Sequence, residues 1–167
     1  KYRSIYLSEH DAMTGLRNRR GLENSIEAKI SEAEEGAKIF AIVADMDNLK
    51  KRNDNYGHSE GDNGISLVAN AVRSITDDNE ICVRGGGDEF FILGVGDYTE
   101  QQLSEKVSRF RGYLETANEA MSIPVEASIG YSLMPLDKKE GFQVVLDKAD
   151  ARMYEDKRSK KSQRVKT

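Results

Sequence analysis

At 167 residues the chain is long enough for one domain with a full core. Its 25 Lys and Arg against 29 Asp and Glu give a formal charge of −4, which argues against nucleic-acid binding, a function that usually needs a basic face. No apolar run approaches membrane-spanning length, and the single cysteine, Cys82, can form no internal disulfide. A reducing, cytoplasmic setting with no membrane contact by this domain is therefore expected, although a full-length protein can be anchored elsewhere.

Tyr2, Ile5, Tyr6 and Leu7 suit a helix ending near His10, with no initiator Met ahead of it. Residues 1–10 read as the remnant of an upstream helix. A compact polar segment follows, with a turn at Gly15. Leu22, Ile26, Ile30 and Ala33 recur at helical spacing, and Gly36 is a suitable stop. The continuous apolar run 39–44 predicts a strand buried on both faces, central in a sheet and ending in Asp45-Met46-Asp47. Asp47 is expected to point away from Asp45. After a polar segment up to Gly57, Ile65, Val68, Val72 and Ile75 predict a helix between Gly61 and Thr76.

Ile81-Cys82-Val83 and Phe91-Ile92-Leu93 flank Arg84-Gly85-Gly86-Gly87-Asp88-Glu89-Phe90 and predict a tight hairpin whose glycines supply positive φ. The acid pair behind that turn repels itself and serves no turn-forming purpose; a divalent cation, or phosphate chemistry run through one, would explain it, and the plain alternative is an ordinary hairpin with a solvated acidic edge. Thr99 with Gln102 is a capping-box signature, opening a helix with Leu103, Val107, Phe110 and Leu114 on one face. Residues 125–134 alternate as a strand, and Phe142, Val145, Leu146, Ala149 and Met153 mark a last helix. The order is helix, strand, helix pair, hairpin, helix, strand, helix. It predicts an α/β (α+β) ferredoxin-like sandwich, a mostly antiparallel sheet flanked by helices. Residues 11–162 form the expected domain, and the basic stretch 163–167 reads as a frayed tail.

Asp45 at a strand end and Asp88 in the hairpin meet at one sheet edge if their strands are neighbours. With Glu89 they would make an oxygen-rich site suited to Mg²⁺, with glycines letting a nucleotide phosphate approach. Taken singly, Asn53 and Asp62 read as turn caps, Lys157 as a surface lysine, His58 as a structural turn residue and Asp150 as a helix-surface or structural hydrogen-bonding group.

Five motifs in order resemble the GGDEF family of diguanylate cyclases. Gly86-Gly87-Asp88-Glu89-Phe90 is the signature itself, with Arg84 at the family's Arg-x-Gly-Gly arginine. Residues 11–20 are similar to D-x-L-T-G-L-x-N-R-R with Met13 for Leu, and residues 45–54 to D-x-D-x-F-K-x-x-N-D with Leu49 for Phe. Residues 57–62 match G-H-x-x-G-D, and residues 149–157 resemble A-D-x-A-L-Y-x-A-K. The resemblance implies a nucleotidyl-cyclase-like fold and condensation of two GTP to cyclic di-GMP with Mg²⁺, or Mn²⁺, in a homodimer driven by an upstream sensor or receiver domain. It implies metal ligation by Asp45, the Met46 carbonyl, Asp88 and Glu89, with Asp88 also placed to help deprotonate the 3′-hydroxyl. It assigns guanine reading to Asn53 and Asp62. Phosphate contacts fall to Lys157, Lys161, Gly86 and Gly87, where Lys161 replaces a frequent Arg and offers charge without a fork. Many members carry an inhibitory Arg-x-x-Asp ahead of the hairpin. Here that place holds Asp77-Asp78-Asn79-Glu80, so no product-inhibition site is expected. The alternative reading is a GTP-binding regulatory module without turnover.

Overall fold

Strand β1 (Lys38–Met46) is buried along almost its whole length, and its side chains alternate between two separate cores. Phe40, Ile42, Ala44 and Met46 point into one core; Ile39, Ala41 and Val43 point into the other. Each apolar side chain fully removed from water contributes roughly 1.5–3 kcal/mol, so this strand organises the domain. The computed structural model describes residues 2–166, with side chains through 163. Lys1 and Thr167, the outermost residues of the expected helix remnant and basic tail, lie outside the described residues.

The elements are α1 (Tyr2–Glu9), α2 (Arg19–Glu32), β1, α3 (Leu49–Tyr56), α4 (His58–Ser74), β2 (Ile81–Arg84), β3 (Glu89–Gly96), α5 (Glu100–Asn118), β4 (Ala127–Pro135) and α6 (Gln143–Lys166). The sheet order is β2-β3-β1-β4, and every pairing is antiparallel. That is the β-α-β-β-α-β sandwich expected from the sequence. Helices α4 and α5 fill the core on one face, and α2 and α6 fill the other. Residues beside Gly15 cover the free edge of β2: Arg17 bridges Val83 in parallel, and the Arg84 N–H donates to the Arg17 carbonyl at 2.8 Å.

Local chemistry accounts for most boundaries. The Asn18 side chain caps α2 by accepting from the Gly21 N–H, and Thr99 with Gln102 forms the expected capping box on α5. Two boundaries and one turn conformation differ from the sequence reading. Helix α4 begins at His58 rather than Gly61, because Gly57, at φ +92°, ends α3 and lets the chain restart a helix at once. Helix α6 continues through Lys166, past Ser162 where fraying is expected, since no Gly or Pro interrupts it. The hairpin glycines are not in the positive-φ region: among the glycines only Gly15, Gly36, Gly57, Gly96 and Gly141 are. Gly85 is required for space instead, as an added Cβ would collide with the Phe91 ring.

Candidate active site

The alternation of β1 sends Asp45 to the same face as Ile39, Ala41 and Val43, the face covered by α6. There α6 lies directly on β4, because Gly130 has no side chain to hold off the backbone of Arg152 and Met153. Lys157, one turn beyond the buried Met153, then reaches back so that its Nζ donates to Asp45 Oδ2 at 2.7 Å. The other oxygen of that carboxylate, Oδ1, is buried without a hydrogen-bond partner. Asp88 approaches from the hairpin, where its carbonyl accepts from the Met46 N–H at 2.9 Å, and its carboxylate faces Asp45. Burial pushes the Asp45 carboxyl up to about 6; the Lys157 hydrogen bond works against this and the Asp88 charge adds to it. Burial alone would depress the Lys157 ammonium, but its bond to Asp45 and the surrounding carboxylates raise it.

Glu89 stands opposite Asp45 in the strand ladder and is held among acids. Burial first, and then the Asp150 carboxylate, raise its pKa, while Arg19 pulls it down. Asp150, a helix-surface or structural hydrogen-bonding group in the sequence reading, is thus a neighbour of this site. Among the described residues no three acidic, His or Cys side chains form a ready-made metal cage. Two facing carboxylates, one with an orphaned buried oxygen, nevertheless fit Mg²⁺, which takes one or two carboxylates and completes its shell with phosphate oxygens and water.

Asp47 corrects an expectation. It does not turn away from Asp45, since residues two apart share a strand face. Its carboxylate lies 3.9 Å from Lys157 and 3.2 Å from Lys160, and accepts from Ser128 Oγ at 2.8 Å. Lys160, unremarked in the sequence, also donates to the Ala127 carbonyl, and Asp156 accepts from the Ile129 N–H at 3.0 Å. These contacts fasten α6 across the strand ends. The signal that could have revealed Lys160 is its three-residue spacing from Lys157, which puts both ammonium groups on one helix face.

On the α3–α4 side, Asn53 Oδ1 is also buried without a partner. Its side chain occupies the space that a Cβ on Gly61 would fill, which brings it beside the residue preceding the exposed Asp62. Arg52 locks α3 in place through the Glu60 carboxylate at 2.7 Å and the Pro124 carbonyl at 2.9 Å. At the hairpin, Arg84 donates to the Gly87 carbonyl at 2.7 Å and pairs with Asp11 at 3.1 Å, fixing the turn to the segment before α2. Beside that pair an open hollow of about 560 Å³ gathers Arg19, Arg20 and the three glycines. An added Cβ on Gly87 would meet nothing within 4 Å, and one on Gly86 only the Glu89 side chain, so this backbone is open to approach. Lys161 is exposed on α6.

The model of the family described as "Diguanylate cyclase, GGDEF domain" matches residues 8–163. The chain belongs to the GGDEF family. This GGDEF domain is 33% identical over 155 residues to the probable diguanylate cyclase DgcJ of Escherichia coli K12, covering 91% of the chain and 30% of DgcJ. It is 31% identical over 150 residues to the cyclic di-GMP phosphodiesterase PdeR of the same organism, covering 89% of the chain and 22% of PdeR. The domain therefore spans less than a third of the length of these relatives, and family membership alone does not fix its turnover. Among solved structures, the diguanylate cyclase SiaD of Pseudomonas aeruginosa, in complex with its activator SiaC, superposes with TM-score 0.77 at 27% identity over 95% of this chain and 62% of that one. The coiled coil and GGDEF domain of DgcB from Caulobacter crescentus, in complex with c-di-GMP, gives TM-score 0.83 at 24% identity over 95% and 85%, a likeness of fold. Among the described residues no helix is long and apolar enough to cross a membrane.

Proposed function

We propose that this GGDEF domain is a diguanylate cyclase, joining two GTP into cyclic di-GMP with release of two pyrophosphates. The observation that carries the reading is the pair of facing carboxylates, Asp45 and Asp88, with Asp45 Oδ1 buried and unpartnered beside a glycine turn open to phosphate. Such an atom is costly to bury in a finished structure and is accounted for by a ligand.

In this reading Asp45, Asp88 and the Met46 carbonyl would hold Mg²⁺ or Mn²⁺, with Glu89 completing the acidic rim. The bound ion would lower the pKa of the 3′-hydroxyl and offset charge building on the α-phosphate. Asp88 accepts the hydroxyl proton. Lys157 and Lys161 neutralise the β- and γ-phosphates, and the backbone at Gly86 and Gly87 lets the triphosphate lie close. Asn53 and Asp62 read guanine: the carboxylate accepts from N1–H and the exocyclic amine, and the amide serves the remaining edge. A site built to satisfy those groups rejects adenine by about 10⁴-fold, since its buried polar atoms would be left unpaired. Each 3′-oxygen attacks the α-phosphate of the opposite GTP, its proton is accepted and pyrophosphate leaves. One domain offers one nucleotide site, so two copies must face each other with twofold symmetry, and an upstream sensor or receiver domain would control that encounter.

The test is pyrophosphate release from GTP and Mg²⁺. Asp88→Ala is expected to reduce it by about 10²–10³-fold with the circular dichroism spectrum unchanged. Turnover that survives the substitution rejects the mechanism. GTP binding without turnover by the unaltered dimer identifies a regulatory module instead.

A further inference from the structure

Lys157 makes two demands on itself. The proposed function gives its ammonium to the triphosphate, yet in the nucleotide-free domain that ammonium sits 2.7 Å from Asp45 Oδ2, on a carboxylate assigned to the metal. Both side chains are partly buried, at 26% and 14% exposure, so water and salt screen the pair weakly. Among the described residues no stronger partner competes for Lys157. The neighbouring Asp47 is 3.9 Å away and is already engaged by Lys160 and Ser128.

We infer that Lys157 is an exchangeable counter-ion that keeps the metal position closed until nucleotide arrives. The inference rests on the cyclase-site reading of Asp45 and Asp88. With its ammonium on Asp45, Lys157 cancels one of the negative charges that Asp45, Asp88 and Glu89 present, and so weakens their attraction for a divalent cation. An incoming triphosphate offers the ammonium several anionic oxygens, and transfer of Lys157 to them frees Asp45 for the ion that the triphosphate also ligates. Nucleotide and metal thereby raise each other's affinity, a coupling that is reciprocal by thermodynamic necessity.

The fold allows this exchange without moving α6. That helix is fixed by its close approach at Gly130, by Asp156 on the Ile129 N–H and by Lys160 on the Ala127 carbonyl. Only the flexible four-carbon stem of Lys157 has to swing. Lys160 leaves Asp47 paired when it does, so no second acid is stranded.

The experiment is a Mn²⁺ titration of the domain, read by electron paramagnetic resonance of the free ion, with and without a non-hydrolysable GTP analogue. Lys157→Met keeps the apolar stem and removes the charge. Without nucleotide it is expected to bind Mn²⁺ at least about tenfold more tightly than the unaltered domain, and the gain should vanish in Asp45→Asn/Lys157→Met. Lys148→Met, the same charge change at an exposed position of the same helix, is expected to leave nucleotide-free affinity unchanged. The analogue should raise affinity in the unaltered domain by a larger factor than in Lys157→Met. Equal nucleotide-free affinity of the unaltered domain and Lys157→Met, including no detectable binding by either, overturns the inference. So does an equal gain in Lys148→Met. Because the readout is metal binding, a domain that exchanges the ion as described but releases no pyrophosphate would sink the cyclase reading alone.

Discussion

The domain gathers lysine and acids in two places, and only one of them is finished. Beyond α4, Lys106 Nζ donates to Glu80 at 2.9 Å, to Asp77 at 3.2 Å and to the Ile75 carbonyl at 2.7 Å. The second Glu80 oxygen accepts from Tyr98 Oη at 2.8 Å, so every charged atom buried in this cluster has a partner. Burial and the Glu80 carboxylate together raise the Tyr98 phenol well above its ordinary value. At the strand ends, Lys157 meets Asp45 in comparable geometry, but Asp45 Oδ1 is left without a partner and faces another acid. A saturated polar network rigidifies; an unsaturated one is held ready for a ligand. The contrast separates structure from chemistry more sharply than residue type does.

The comparison can be broken first at the saturated cluster. Lys106→Ala strands Glu80, whose side chain is fully inaccessible, and is expected to cost about 3–5 kcal/mol in urea unfolding. A loss below about 1 kcal/mol would show that the cluster is not structural. At the unsaturated site the opposite pattern is expected. Asp45→Asn should lower pyrophosphate release by about 10²–10³-fold while moving the unfolding free energy of the nucleotide-free domain by no more than about 1 kcal/mol. A large stability loss would place Asp45 with the structural acids.

The smallest expected effect is none at all. Asp77 and Glu80 stand where the sequence resemblance would put an inhibitory Arg-x-x-Asp, and here both are bound to Lys106. Added cyclic di-GMP is therefore expected to leave the initial rate unchanged. Tight inhibition that disappears in Asp77→Ala would show that the cluster opens to grip product.

Much of this was legible in the sequence, for physical reasons that also set the limits. The apolar run of β1 is readable because a strand buried on both faces cannot carry polar residues, and its central place follows. The meeting of Asp45 with Asp88 follows once β1 and β3 are neighbours. The conformation of Gly85 was not legible: a tight turn suggests positive φ, whereas here glycine is demanded by the Phe91 ring packed against it. Nor was the start of α4, where Gly57 does by backbone freedom what a capping side chain does elsewhere. The pairing of Asp47 with Lys160 and the contact of Glu89 with Asp150 depend on how α6 lies on β4, a distance set by Gly130 and by nothing in the periodicity of either partner.

The 112 residues separating Asp45 from Lys157 also order events during synthesis. The first strand emerges from the ribosome long before the helix that neutralises its terminal carboxylate. Until α6 docks, the nascent sheet carries an uncompensated acid at its rim and an apolar face that α2 covers in part. The last helix of this domain to be translated is thus the one that both completes the core shared with α2 and assembles the phosphate end of the site, so a chain stalled before α6 has neither.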